Sequence, residues 1–375
     1  MTIQTPAAGS AVPVRGSGAR GLGWRSLVQQ KFLIIAVAVI AVAFFTATGS
    51  SYTVYIVDTI LLAAIGALAL DLLMGTGGQV SIGNAAFLAA GAYVTVWASR
   101  SGAPFPFDVI IGGLACAVAG LIVGLPALRI RGMYLALATL AAFYLADFVG
   151  QQYQTDTVGA AGFFLNPVFA GTISQQQASW AWLLLGVLAA TIILVSWLRS
   201  GRSGRAWRMI RDHEVAASIM GIPVARYKLL AFMISSAIIG VQGGLLAHFT
   251  GSVSYDSFTL GLSISVIAMI LIGGLDSLAG PLIGAVVVTM LPIFVPDVIN
   301  AFVSSPAATQ DASSYAEIIY GVLIMVFMIA APKGLTGLAQ ALGRKALSRW
   351  RPRPAVPRAD GAAAADTARA PARRA

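Results

Sequence analysis

Apolar stretches of about bilayer length recur ten times along this chain of 375 residues. At a rise of 1.5 Å per residue, roughly 20 residues are needed to cross about 30 Å of hydrocarbon. On that ruler spans are predicted at about 32–49, 52–74, 85–99, 107–128, 133–150, 179–198, 229–249, 259–275, 279–296 and 316–331. The polar interruptions on the side opposite the basic loops are 151–178, with Gln151, Gln152, Gln154, Gln175, Gln176 and Gln177, and 297–315, with Asp297, Asn300, Gln310 and Asp311. Neither is large enough for a domain of its own. Trp180 and Trp197 stand near the two ends of the sixth span, where aromatic anchors meet the bilayer interface.

The cations orient these spans. No Lys or Arg falls between Arg131 and Arg199 or between Lys228 and Lys333, and basic loops are the ones retained in the cytoplasm. With the N-terminus inside, ten spans place Arg129, Arg131, the cluster 199–228 and everything from Lys333 onward in the cytoplasm, and only Arg100 outside. The expected fold class is an all-α polytopic membrane protein with about ten transmembrane helices and both termini cytoplasmic. Composition agrees, because 58% hydrophobic and 10% charged residues leave too little polar surface to coat a soluble globule of this length.

Three regions follow. Residues 1–31, rich in Gly, Ala and Arg, are expected to be a disordered basic cytoplasmic leader. A cleaved signal peptide fits less well, since the apolar run after Lys31 is long and lacks an A-x-A site. Residues 32–338 form the transmembrane domain. Residues 339–375, an Arg, Ala and Pro mixture, are expected to be a disordered basic tail near lipid headgroups. A net charge of +10 would suggest nucleic acid in a soluble protein, but no folded module is available for base readout, so the lipid bilayer is the expected partner. Cys116 is the single cysteine, which excludes an intrachain disulfide and Cys-based metal or redox sites, and reads as a small packing residue.

Candidate chemistry is sparse, and no catalytic or metal-binding residue is assigned. None of the four lysines follows a glycine, so the chain carries no phosphate-binding G-x-x-x-x-G-K-[ST] loop; if ATP drives it, another polypeptide holds the nucleotide. Asp58, Asp71, Asp147 and His248 lie toward span ends, where interfacial or capping roles are expected, and the absence of a carboxylate or histidine at depth argues against a proton-driven carrier. Gly75, Gly77, Gly78 and Gly83 should break the helix between the second and third spans and expose backbone N–H groups to a substrate carboxylate. Gln79, Ser81 and Asn84 would add uncharged hydrogen bonds on that translocation path; the competing reading is that these glycines only allow close helix packing. The segment at 77–81 is weakly echoed at 273–277, as in a parallel repeat.

The loop at 199–228 is expected to hold one short helix, capped by Ser203 at its start and ended by Gly221 with Pro223. Arg208 and Asp212 stand at i, i+4, and Ala216 and Ala217 keep one stretch small enough for close approach by a partner. A helix lying on the lipid surface is the alternative.

The string EVAASIMG at 214–221 resembles the E-A-A-x-x-x-G coupling loop of ABC importer permeases, with Val215 inserted before the Ala pair and no downstream I-x-L-P. Both departures are familiar in the branched-chain amino-acid permeases. That branch is also resembled by DLLMGTGGQVSIGNAAF at 71–87, LRIRGMYLA at 128–136, RYKL at 226–229, GGLDSLAGP at 273–281 and PKGL at 332–335, so the resemblance covers about 52–338. The family often has Gly-His where this chain has Gly83-Asn84.

The resemblance, to the larger of the two permease types, implies a non-enzymatic importer subunit that works by alternating access in a bacterial inner membrane. Arg208, Asp212, Glu214, Ala216, Ala217 and Gly221 would dock on an ABC ATPase subunit carrying ATP and Mg, and this chain would bind no cofactor. A second permease, making a heterodimer, and an extracytoplasmic solute-binding protein complete the expected assembly. Branched-chain or other apolar amino acids are the first substrate expectation, with urea, short amides and aromatic acids open. A carrier or channel working alone, and a scaffold whose basic loop recruits proteins or lipids, are the readings from other classes.

Overall fold

The computed structural model describes residues 24–127, 133–302, 321, 322, 325, 326 and 334–337. The chain divides into two compact units, Met1–Thr336 and Gly337–Ala375, and every described residue except Gly337 belongs to the first. Most of the leader, Arg129 and Arg131, most of the predicted tenth span and the basic tail lie outside the described residues.

The helices, in chain order, are α1 (Trp24–Thr48), α2 (Ser51–Asp71), α3 (Asn84–Arg100), α4 (Phe107–Ala127), α5 (Met133–Thr157), α6 (Ile173–Ser200), α7 (Arg202–Asp212), α8 (Glu214–Ile219), α9 (Val224–Thr250), α10 (Leu260–Gly273) and α11 (Gly280–Phe302). Seven of the described helices are long and apolar enough to cross a membrane, α10 when taken together with the turn from Tyr255, while α3 and the apolar part of α11 are shorter. Each of the first nine predicted spans is therefore present as a helix, and the architecture is that of an all-α polytopic membrane protein. The boundaries that moved furthest did so outward. α1 begins at Trp24, inside the expected leader. α5 continues through the glutamines to Thr157 because Gln154, fully buried, accepts from the Tyr93 hydroxyl (2.9 Å) and the Tyr255 N–H (3.0 Å). α6 begins at Ile173, where the Gln175 side chain accepts from the Thr172 N–H (3.2 Å).

Close approach of backbones builds the core. α3, α4 and α9 meet through small residues: a Cβ on Gly91 would overlap the Gly240 backbone, one on Gly243 the Leu88 carbonyl, and one on Gly240 the Cys116 side chain. Cys116 fills that seam, its thiol donating to the Phe87 carbonyl (3.2 Å). α2 is buried over most of its length between α6, α9 and α11. α1 leans on α6 and leaves Phe32, Leu33, Ile40 and Phe44 exposed, as a lipid-facing helix would. A two-residue antiparallel pair, β1 (Phe163–Phe164) with β2 (Ser252–Val253), ties the α5–α6 connection to the end of α9.

The expected interfacial placement is corrected for Asp58, Asp71 and His248. Asp71 and Asp58 are fully buried, and His248 is buried against Asp108 at 2.6 Å. Asp71 is tolerated because Arg199 meets it; among the described residues neither Asp58 oxygen has a hydrogen-bond partner.

Candidate coupling and translocation site

The break after α2 begins as a π-turn, Leu72–Thr76, in which the chain overshoots the α-helical register. Its backbone is self-satisfied. The N–H groups of Gly77, Gly78 and Gln79 donate to the carbonyls of Leu72, Met74 and Leu73 at 3.1–3.2 Å. These glycines therefore do not present the N–H groups that the sequence led one to expect for a carboxylate. Further along, the Ile82 N–H donates to the Thr139 hydroxyl (3.0 Å) and the Ala85 N–H to the Ser263 hydroxyl (2.8 Å), fastening the start of α3 to α5 and α10. Gly83 packs on the Thr139 backbone and Ser81 is buried. Asn84 differs from its neighbours: it is buried, and among the described residues neither end of its carboxamide has a partner. A buried amide without partners costs on the order of 1–3 kcal/mol, which sets Asn84 apart from the satisfied groups on either side of it.

The loop between α6 and α9 holds two helices where one was expected, because extended backbone at His213 (φ −152°, ψ 92°) parts α7 from α8. Gly201 occupies the cap position of α7 and Ser203 sits inside its first turn, so Ser203 is not the cap. α7 is amphipathic and buries Trp207, whose indole N–H donates to the Tyr227 carbonyl at the start of α9 (2.8 Å). Arg208 turns to the Arg199 carbonyl (3.2 Å), and Asp212 accepts from Arg211 (3.3 Å) in place of an i, i+4 pair with Arg208.

Glu214 opens α8 and pairs with Lys228 at 2.9 Å, joining α8 to α9. Gly221 ends α8 with φ +79°, a left-handed position that glycine adopts without cost, and the Ile222 N–H closes the turn on the Ala217 carbonyl (3.1 Å). Of the Ala pair, Ala217 is buried and Ala216 exposed. The surface open to a partner is instead apolar: Val215, Ile219 and Met220 are 61%, 81% and 69% exposed.

Four residues tie this loop to the spans, and sequence reading had singled out only one of them. The carboxylate of Asp71 receives the Arg199 guanidinium at 2.5 Å and the Asp276 N–H at 3.0 Å. Asp276, a non-glycine at φ +57°, receives Arg211 (3.0 Å) and the Thr76 hydroxyl (3.1 Å). Arg211 also donates to the Gly75 carbonyl and covers Gly78, where a Cβ would stand 2.6 Å from its Cγ. Burial alone would lower the Arg211 pKa, yet Asp276 and Asp212 hold it above the ordinary arginine value. Gln79 adds a bond to the Lys228 carbonyl (3.3 Å). The two glycine-rich segments echoed in sequence are thus joined in space. Gly334 and Thr336 close the far side, the first packed on the Gly274 backbone and the second donating to the Gly273 carbonyl (2.9 Å).

A multi-pass helical protein with two glycine-broken spans and a jointed helical loop clamped to both belongs among membrane transport subunits, and comparison with known proteins narrows the class. Residues 52–328 match the family described as the branched-chain amino acid transport system permease component, and the chain belongs to that family. It is similar to the high-affinity branched-chain amino acid transport system permease protein LivM of Salmonella typhimurium, 30% identical over 338 residues covering 83% of this chain and 76% of that one. LivM of Escherichia coli K12 is 29% identical over the same coverage. LivH of Salmonella typhimurium is 29% identical over 171 residues, 45% of this chain and 50% of that one. A solved structure, PsaBC from Streptococcus pneumoniae in complex with Fab, aligns with 79% of this chain and 97% of that one at 16% identity and a TM-score of 0.42, too distant to carry a fold argument. The chain is accordingly a permease component of the inner membrane and not itself an enzyme.

Proposed function

We propose that this chain is the membrane-spanning subunit of an ATP-driven importer, most plainly of branched-chain or other apolar amino acids, working by alternating access in a bacterial inner membrane. The observation that carries the reading is the exposed apolar surface of α8 on a loop clamped to two broken spans. An ATPase subunit holding ATP and Mg docks on Val215, Ala216, Ile219 and Met220 from the cytoplasm, with α7 and Glu214 bracing the surface from behind. Likeness to both LivM and LivH supports pairing with a second, related permease, and an extracytoplasmic binding protein delivers the solute. Urea, short amides and aromatic acids are the substrate alternatives.

Purification of the tagged chain from its native membrane in mild detergent tests this. An ATPase subunit and a second permease are expected to travel with the wild-type chain, and Ile219→Asp with Met220→Asp is expected to lose the ATPase while keeping the permease pair. A wild-type chain that purifies alone, with leucine uptake following an ion gradient and ignoring ATP, would establish an independent carrier instead.

The unpartnered Asn84 amide serves as a hydrogen-bonding station on the path, taking over the role first assigned to the glycine N–H groups. Asn84→Leu keeps the branched shape of the side chain and removes both donor and acceptor. Leucine uptake in vesicles is expected to fall by about tenfold, the equivalent of one hydrogen bond to a charged group, with the complex intact. Uptake equal to wild type would take Asn84 off the path.

A further inference from the structure

We infer that Arg211, received by Asp276, is the positioning residue that passes movement of α7 and α8 to the two glycine-rich helix breaks. The inference rests on the importer reading above and names the link it requires. Arg211 is the last basic residue of α7, two positions before the His213 joint, so it sits where the docking helix would pull. One guanidinium there grips both breaks, the Gly75 carbonyl of the first and the Asp276 carboxylate of the second.

The surrounding geometry fits a link better than a passive surface pair. Asp276 stands at a positive φ, which most side chains avoid and aspartate tolerates, and its neighbours fix it there. Those neighbours are Asp71 at its N–H and Thr76 and Arg211 at its carboxylate. Gly75 and Gly78 leave the space through which this contact is made: a Cβ on Gly75 would overlap the Asp71 carboxylate, and one on Gly78 the Arg211 stem. Pushing or turning α7 therefore cannot leave either break unmoved unless the Arg211 contacts part. An arginine suits the task because its Nη1 reaches both the Gly75 carbonyl and the Asp276 carboxylate while its Nε holds Asp212, a spread over two rigidly linked nitrogens that the single ammonium nitrogen of lysine does not have.

The test is independent of the transported solute. A cysteine at Ser81, buried within the first break, reports its opening through reaction with a maleimide. The purified complex is labelled without nucleotide and again with ATP and vanadate. In the Ser81→Cys complex labelling is expected to change by at least about fivefold, as a population shift between two states would produce. With Arg211→Ala added, the change should fall below about twofold while ATP hydrolysis and assembly persist, and Asp276→Asn should give the same uncoupling from the other side. Arg211→Lys should recover only part of the response.

An unaltered response in Arg211→Ala would overturn the inference and leave the importer reading standing. So would loss of assembly in both Arg211→Ala and Asp276→Asn, which would make the cluster a folding element. Failure of any ATPase subunit to accompany the wild-type chain would remove the importer reading, and this inference with it.

Discussion

Gly91→Leu is expected to leave little folded protein in the membrane. Gly91 faces the backbone of Gly240 where α3 crosses α9, and α4 closes on the same seam through Cys116. A leucine there meets backbone, which cannot rotate aside as a side chain would. The helices must separate, and the van der Waals contacts of three helices are lost together. Overpacking costs typically 1–3 kcal/mol when side chains can shift, and this site should cost about 3 kcal/mol or more because they cannot. Gly186→Leu is the matching control, since a Cβ at Gly186 meets nothing within 4 Å. Thermal melting followed by size-exclusion chromatography in detergent should give a near wild-type profile for Gly186→Leu and an aggregated or absent peak for Gly91→Leu. A monodisperse Gly91→Leu protein melting near wild type would refute the backbone-contact account of the core.

The second large effect is at the Asp71–Arg199 pair. Both side chains are at least nine-tenths buried, and their partner distance is 2.5 Å. Removing either charge leaves the other stranded in a low-dielectric interior, at a cost of roughly 3–5 kcal/mol. Asp71→Ala and Arg199→Ala should each lower the melting midpoint severely. Asp71→Leu with Arg199→Met should recover much of the loss, because an apolar pair of similar volume carries no desolvation cost. Asp71→Ala should be the worse of the two single changes, since it also strips the acceptor from the Asp276 N–H. A double variant no more stable than the singles would show that the pair does something besides compensating charge.

The spans were legible in the sequence because each is long, apolar and bounded by polar or glycine-rich turns, and the permease class followed from ordered motifs over most of the chain. What hydropathy could not show was which polar residues are buried by a distant partner. Gln154 reads as a loop glutamine until Tyr93 and Tyr255 are seen to enclose it. Asp71 and His248 read as interfacial until Arg199 and Asp108 are placed. The helical character of the loop at 199–228 was legible, but which of its side chains are exposed was not: the small Ala217 is buried, and the apolar Ile219 and Met220 point outward. The signal for Arg211 and Asp276 was present in part, since Asp276 falls within the glycine-rich echo; only the fold shows that the two echoes meet.

The partners of the Asp71 pair are 128 residues apart in the chain. At a synthesis rate of about 5–20 residues per second, Arg199 leaves the ribosome roughly 6–26 s after Asp71. During that interval α2 must enter or wait beside the bilayer with an uncompensated carboxylate at its end. Burial of Asp71 is therefore an event of tertiary assembly that waits for α6, not a property that α2 carries from its own synthesis.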